Sequence, residues 1–399
     1  MRLKIFGIGA AGNKAVINML EKQFVDKRDI VLINSTIRDI PQEYRELAIR
    51  LSDTVKGCGQ ERKLAQNICL DAIKSGRLNL DAIIDPEYDK AIIITSTNGG
   101  TGSGASTIIA KYLKEVVGIE VEIIGLVGFD DESARALRNL IEFCQDLSDE
   151  YAIQLIRNSA YLQRCRGNRS AAELEVNDEV ARRIMVMSGI LLKDSAQNID
   201  DTDIMKSNNL HGYKSVEYIE VYEKIKNMQQ FNDILTEIVD ESPSMDNESK
   251  KIGILAVMMN LAPTSQAFVD RSFSILKEKY GEPYEVYTHV EYVEDYPQFI
   301  AVIASGMKMP LEAIEEAYER YEEMNTNVDK QKDNFFETIN GLRGSLDDSM
   351  FDAFSQGGIG HGNSLEAKKN NFFAEFDMSP SSPKKGGNNK SSNNNNNGF

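Results

Sequence analysis

The sequence predicts an α/β protein whose largely parallel sheet presents an anion site at its strand ends. Three observations lead there. Apolar strands alternate with helical patterns over residues 1 to about 130. A glycine loop, Gly7-Ile8-Gly9-Ala10-Ala11-Gly12, follows the first of these strands. A second loop of small residues, Thr97-Asn98-Gly99-Gly100-Thr101-Gly102-Ser103-Gly104, lies between the apolar run Ala91–Ile94 and a helical stretch from Ala105. Small residues at a strand-to-helix turn let backbone N–H groups converge on an anion, and the helix N-terminus adds a favourable dipole. The common phosphate loop carries a Lys after its last Gly. Here Ala105 and Ser106 follow instead, which makes this a phosphate loop of another kind.

In chain order, the strands read Leu3–Gly7, Ile30–Asn34, Ala91–Ser96, Val121–Val127 and Ala152–Ile156. Helical stretches at Asn13–Glu21, Gly59–Ser75, Ser103–Val116 and Glu132–Leu147 lie between them. A helix expected over Asn177–Gln197 repeats Val180, Ile184, Met187 and Leu191 at helical spacing, and Met185, Ile190 and Leu192 widen its apolar surface. Such a helix is buried on more than one side and belongs between two domains. A second α/β region spans 204–308, with strands at Ile252–Met259, Tyr284–Val293 and Gln298–Ser305 and helical patterns at Val216–Val239 and Ser265–Glu278. After Pro310 comes an acidic helix, Leu311–Met324, expected to continue with breaks to about Phe354. Beyond Gln356 the chain is rich in Gly, Asn, Ser and Lys and is expected to be disordered, having little apolar surface to offset the entropy of ordering.

Composition removes several classes. The net charge of −17 over 399 residues disfavours direct DNA binding by the acidic body. The four cysteines are scattered without a CxxC pair or a nearby His, which argues against a zinc site or a disulfide framework and suits a reducing cytoplasm. No apolar stretch is long enough for a bilayer, so no membrane insertion is expected. Arg2–Phe6 runs straight into the first glycine loop, which predicts no secretory leader.

Alone, Gly7–Gly12 is a formal dinucleotide fingerprint, which wants an acid at the end of the next strand. That strand ends in Asn34-Ser35-Thr36, and a nicotinamide or flavin enzyme would leave the loop at 98–104 unexplained. Both loops together resemble the tubulin/FtsZ superfamily, whose signature GGGTGSG or GGGTGTG is matched here with Asn98 in place of its first Gly. The resemblance implies a Rossmann-like parallel-sheet GTPase domain, a central core helix, a smaller α/β (α+β) domain, an extended C-terminal helix and a disordered tail. The implied divisions are 1–176, 177–203, 204–308, 309–355 and 356–399.

It also implies a site for GTP or GDP with Mg²⁺. The first loop would contribute Gly9, Ala10, Ala11 and Asn13, and the second Asn98, Gly99, Gly100, Thr101, Gly102 and Ser103. Gly100 and Gly102 are expected to let the backbone approach the phosphates. Asn34 matches the family's NTD or NTS element, and Gly57 sits in Lys56-Gly57-Cys58-Gly59-Gln60, where the family has a loop near the γ-phosphate. Glu132, or Asp131, falls where an acid meets the ribose; acids in a first helical turn also simply complement the helix dipole. Asn158 and Asn177 match the asparagines that read guanine, since an amide both donates and accepts. Asn177 reads equally as a helix N-cap. Four residues before it the family often has an aromatic that stacks on the base, whereas this chain has Glu173.

Asn198-Ile199-Asp200-Asp201-Thr202-Asp203 matches N-x-D-x-x-D, the loop that in this superfamily completes the neighbouring subunit's site. Asn198, Asp200 and Asp203 are thereby the implied catalytic residues. Carboxylates can orient a water but hold a phosphate badly, which suits acids delivered from the next subunit. The alternative is a solvated acidic turn or a calcium-like loop. The resemblance implies a head-to-tail filament in a bacterial cytoplasm. The acidic helix after Pro310 resembles those of phage- and plasmid-encoded TubZ and PhuZ relatives, which implies DNA segregation through an adaptor or phage cargo. A divergent FtsZ-like division protein and a nucleotide-binding homologue without turnover are the other readings.

Overall fold

The first apolar runs fold as neighbouring parallel strands because each is too apolar to leave either face in water. The computed structural model describes residues 1–147, 150–191, 201–262, 265–294, 296–325 and 365–376. Its first strands are β1 (Leu3–Ile8), β2 (Ile30–Asn34), β3 (Ala48–Arg50), β4 (Lys90–Ser96), β5 (Glu120–Val127) and β6 (Ala152–Arg157). Then come β7 (Gly212–Glu220), β8 (Lys251–Asn260), β9 (Glu282–Glu291) and β10 (Phe299–Met307). All belong to one sheet in the order β3-β2-β1-β4-β5-β6-β7-β10-β8-β9. Pairing is parallel except along both sides of β10, which runs antiparallel to β7 and β8.

The order reverses at β1. The chain moves outward through β2 to β3 and then returns to add β4 on the other side of β1. In an open sheet of this kind, ligands enter the crevice beyond the carboxyl ends of the strands at the reversal. β1 and β4 end level, with Ile8 opposite Thr95, so the two glycine loops that follow them are neighbours.

The early helices are α1 (Gly9–Glu21), α2 (Arg62–Lys74), the single turn α3 (Leu80–Ile83), α4 (Gly100–Tyr112) and α5 (Ala134–Leu147). The long core helix, α6 (Arg169–Ser188), departs from expectation at both ends. The Asn168 side chain caps its start by accepting from the Ala171 N–H at 3.2 Å, and Gly189 ends it in the left-handed region at φ 73°. Asn177 is therefore inside the helix, not at its start. The apolar repeat missed the first turns because Arg169, Ser170, Glu173 and Glu175 carry no hydrophobic stripe. Val176, Val180, Ile184 and Met187 pack in one cluster with Ile92 and Ile124 of the early strands and Val216, Met258, Phe299 and Ile303 of the later ones.

Next come α7 (Asp201–Asn209), α8 (Met228–Asp240), α9 (Gln266–Tyr280) and α10 (Leu311–Asn325). The helical pattern expected over Val216–Val239 is instead the end of β7 followed by α8. Glu217 falls within that expected helix, yet both it and Lys214 are buried in the sheet. The expected continuation of the acidic helix to Phe354 lies outside the described residues. A second unit, residues 360–399, contains α11 (Leu365–Phe376), a helix where disorder was expected. Its Phe372, Phe373 and Phe376 pack on one another, apolar surface that the Asn-rich composition around it obscures. Among the described residues no helix is long and apolar enough to cross a membrane.

A polar network runs through the core. Glu122, fully buried, accepts from Lys90 at 2.7 Å and from Lys214 at 2.8 Å, and its other oxygen accepts from the Gln154 amide at 2.7 Å. The Gln154 oxygen in turn accepts from Arg183 at 3.1 Å, and Arg183 reaches Glu179 at 2.8 Å and the Ser244 hydroxyl at 2.9 Å. Asn208 of α7 closes it, its carbonyl taking Lys214 at 3.0 Å while its amide donates to Met187 at the end of α6 at 2.8 Å.

Candidate functional site

Helices α1 and α4 both begin without a side-chain cap, as α2 does, whereas α6, α8 and α9 are capped by Asn168, Asn227 and Ser265. The uncapped starts of α1 and α4 touch. Gly9 sits at φ +76°, and a Cβ there would lie 2.9 Å from the Gly102 nitrogen, so only glycine lets the first loop press onto the second. In α4 the Ser103 N–H bonds back to the Gly99 carbonyl at 3.3 Å, which leaves the N–H groups of Gly100, Thr101 and Gly102 ahead of the ladder. Side by side, two such helix ends concentrate positive potential where an anion is welcome.

The surrounding chain holds the loops in place. The buried Asn139 amide donates to the carbonyls of Gln60 at 3.1 Å and Asn98 at 3.0 Å, tying the loop at 56–61 to the one at 97–104. The Ser35 and Thr101 hydroxyls meet at 2.8 Å. Beyond the loops opens a cavity of 360 Å³, lined by Ala10, Ala11, Glu132, Asn158 and Asn177 and also by Lys14, Phe129, Arg169 and Glu173. That space adjoins the start of α1 at Ala10 and Ala11 and the second loop at Asn98. A larger groove of 620 Å³ between α6, β7 and α8 carries Glu175, Glu220 and Glu237, acids that repel an anion.

No protein-family model matches the chain. It is 25% identical over 199 residues to the tubulin-like protein CetZ1 of Haloferax volcanii, across 47% of this chain and 50% of that protein. The chain thus spans about half the length of the curated relatives it matches. Its structure superposes on a GTPγS-bound protofilament of CetZ2 from Haloferax volcanii with a TM-score of 0.69 and 18% identity, over 83% of this chain and 100% of the other. It superposes on the TubZ of Clostridium botulinum phage c-st with a TM-score of 0.63 and 16% identity, over 82% and 99% of the two chains. The fold is that of the tubulin/FtsZ superfamily.

Within this tubulin/FtsZ fold most of the expected site residues come together. Asn13 is 2% exposed; its amide donates to the Ile33 carbonyl at 3.3 Å, and its side-chain oxygen has no partner among the described residues. Asn34 lies at the end of β2, and its side-chain oxygen accepts from the Ser35 N–H at 2.9 Å. Gly57, at φ +145°, is exposed on its loop. Glu132 faces the cavity and folds against Gly128, while Asp131 is drawn outward into an ion pair with Arg169. Asp203 lies on α7, 4.0 Å from the Lys206 ammonium. Asn198 and Asp200 lie outside the described residues.

Three of the expected site residues also have structural roles. The Asn98 side-chain oxygen accepts from the Gly128 N–H at 2.9 Å and the Thr97 hydroxyl at 2.6 Å, so it braces the loop against β5. Gly100 and Gly102 are small for reasons of packing. A Cβ at Gly100 would stand 2.8 Å from the Glu61 nitrogen, and one at Gly102 would stand 2.8 Å from Thr95 Oγ1 and 2.9 Å from the Ser96 carbonyl. Gly102→Val is therefore expected to break the loop itself and cannot leave the fold intact. At Gly99 a Cβ would meet nothing nearer than Ser96 Oγ at 3.8 Å. Sequence reading passed over Lys14, Phe129, Asn139 and Arg169. A helix start placed at Asn168 would have exposed Arg169, whereas nothing local marks the other three.

Proposed function

We propose that this chain binds GTP in the cleft, assembles head to tail, and hydrolyses the nucleotide where subunits meet. The meeting of two uncapped helix ends at the reversal of strand order, with two asparagines across the same cavity, carries this reading. The solved CetZ2 protofilament with GTPγS supports it. Backbone N–H groups of Gly9, Ala10 and Ala11 and of Gly100, Thr101 and Gly102, ahead of the ladders of α1 and α4, would hold the phosphates, and Gly57 would lie toward the γ-phosphate. Glu132 would meet the ribose, while the amides of Asn158 and Asn177 would read the base edge by donating and accepting together. The neutral oxygens of Asn13, Ser35 and Thr101 suit Mg²⁺, which keeps several waters and shares the phosphates. The cation would neutralise charge on them.

Residues 1–176 would carry the nucleotide, and the loop at 198–203 would reach the site of the next subunit. There Asp200 and Asp203 would orient a water, with Asn198 holding the loop. A heterologous interface of this kind does not close on itself and yields an open filament. The acidic α10 and the likeness to a phage TubZ favour segregation or positioning of phage or plasmid DNA. At a net charge of −17 the body would engage DNA through an adaptor or cargo.

The test is GTP hydrolysis against protein concentration. Specific activity is expected to rise steeply above a threshold that coincides with filaments in electron micrographs, with GTP and not with GDP. Hydrolysis independent of concentration rejects the shared site, and binding without phosphate release makes the chain a homologue without turnover. A second measurement isolates the phosphate loop. Gly99→Ala is expected to leave the thermal midpoint unchanged yet weaken GTP binding roughly tenfold, ~1.4 kcal/mol, because the new methyl faces the ligand and not the protein. Unaltered affinity in calorimetry would remove Gly99 from the site.

A further inference from the structure

Glu173 stands where an aromatic would be expected to stack on the base, yet the cavity has a flat surface from another source. The Arg169 guanidinium lies over the Phe129 ring, 4.8 Å from its centroid, and both side chains line the cavity that holds Asn158 and Asn177. Phe129 is 7% exposed, so its ring is backing under the guanidinium and not a free platform. Arg169 is itself steered. It pairs with Asp131 on the same loop as Phe129, and it projects from the first residue of α6, which the Asn168 cap fixes. Glu173, one turn further along α6, is turned away from a stacking role by its ion pair with Lys14 at 3.3 Å.

We propose that Arg169, backed by Phe129, supplies the face on which the purine base lies, in place of an aromatic side chain. The inference rests on the nucleotide reading above and deepens it. A guanidinium is planar, weakly hydrated and stacks on aromatic faces, so it serves as both cation and plate. Lysine has the charge without the plate. Stacking is blind to the edge of the base, so Arg169 sets how tightly a purine is held, while Asn158 and Asn177 set which purine it is.

Dissociation constants for GTP, GDP and ITP, measured by calorimetry on the full chain, test this. Arg169→Ala is expected to weaken all three by the same factor, roughly tenfold to a hundredfold, the usual worth of one stacked base. Arg169→Lys should lose nearly as much, and Arg169→Phe should recover most of it. Asp131→Asn, which breaks the ion pair and keeps the guanidinium, should cost no more than about threefold. Inorganic triphosphate should compete equally well against wild type and Arg169→Ala, because the phosphate loops are untouched. GTP affinity unchanged in Arg169→Ala overturns the proposal. So does a loss in Asp131→Asn matching that of Arg169→Ala, since Arg169 would then only anchor its loop. Rescue by Lys and not by Phe also overturns it, since charge alone would then matter. A wild-type chain that binds neither GTP nor GDP would instead overturn the nucleotide reading itself.

Discussion

Asp200→Ala subunits are expected to bind GTP as wild type does and to hydrolyse it roughly 10²–10⁴-fold more slowly, the usual worth of a positioned acid–base group. Binding is spared because the acid serves the site of another subunit. Filaments should still form with GTP and then persist, since loss of the γ-phosphate is what weakens the interface. Mixed with wild type, each Asp200→Ala subunit should silence the site it caps, so turnover falls in proportion to the fraction added. Asp203→Ala should behave alike, because Asp203 lies in the first turn of α7, three residues along the chain from Asp200. An Asp200→Ala protein with normal phosphate release, or one that no longer binds GTP, would sink the shared-site mechanism.

Glu122→Gln is expected to cost about 3–5 kcal/mol of folding stability, the usual penalty for stripping the counter-ion from a buried charge. Lys90 and Lys214, each no more than 1% exposed, would be left facing each other without a carboxylate. Burial would drive the Glu122 carboxyl up, but the two ammoniums outweigh it and hold it below the ordinary range. Burial drives the Lys214 ammonium the other way, down to about 7 against the pull of Glu122. The unfolded lysine titrates near ~10.4, so between about pH 7 and 10 the unfolded chain binds more protons and stability rises with pH. The penalty is full below pH 7 and disappears toward pH 10. Urea midpoints should therefore be higher at pH 9 than at pH 7 in wild type, with a smaller rise in Lys214→Met. A Glu122→Gln midpoint equal to that of wild type would mean that the network carries no stability.

This network also explains what was illegible in the sequence. The end of β7 reads as helix because Glu217 interrupts its apolar run, and its partner Arg183 lies far away in the chain. Strands β1, β2, β4 and β5 were readable to within a residue or two although β4 and β5 carry the buried Lys90 and Glu122, because an unbroken apolar run follows each charge. The phosphate loops were equally plain, since small residues between a strand and a helix form a local signal. The base side was less so. Asn158 and Asn177 could be named by likeness, but Arg169 and Phe129 meet only because α6 starts where Asn168 caps it.

By itself, the sequence determined the alternation of strands and helices, the two glycine loops and the acidic character of α10, all of which rest on neighbours a few residues apart. Tertiary structure alone decided why each glycine is needed. Gly9 makes room for Gly102, Gly100 for the backbone of residues 60–61, and Gly102 for the end of β4, whereas Gly99 faces open space. It also decided that Asn98 braces a loop, that Asp131 turns outward while Glu132 turns in, and that a guanidinium stands where an aromatic was expected. Most of these depend on a contact between segments distant in sequence, and the rest on how a turn folds back on itself. Local pattern carries no information about such contacts, because the space a side chain may occupy is set by whatever the rest of the fold brings beside it.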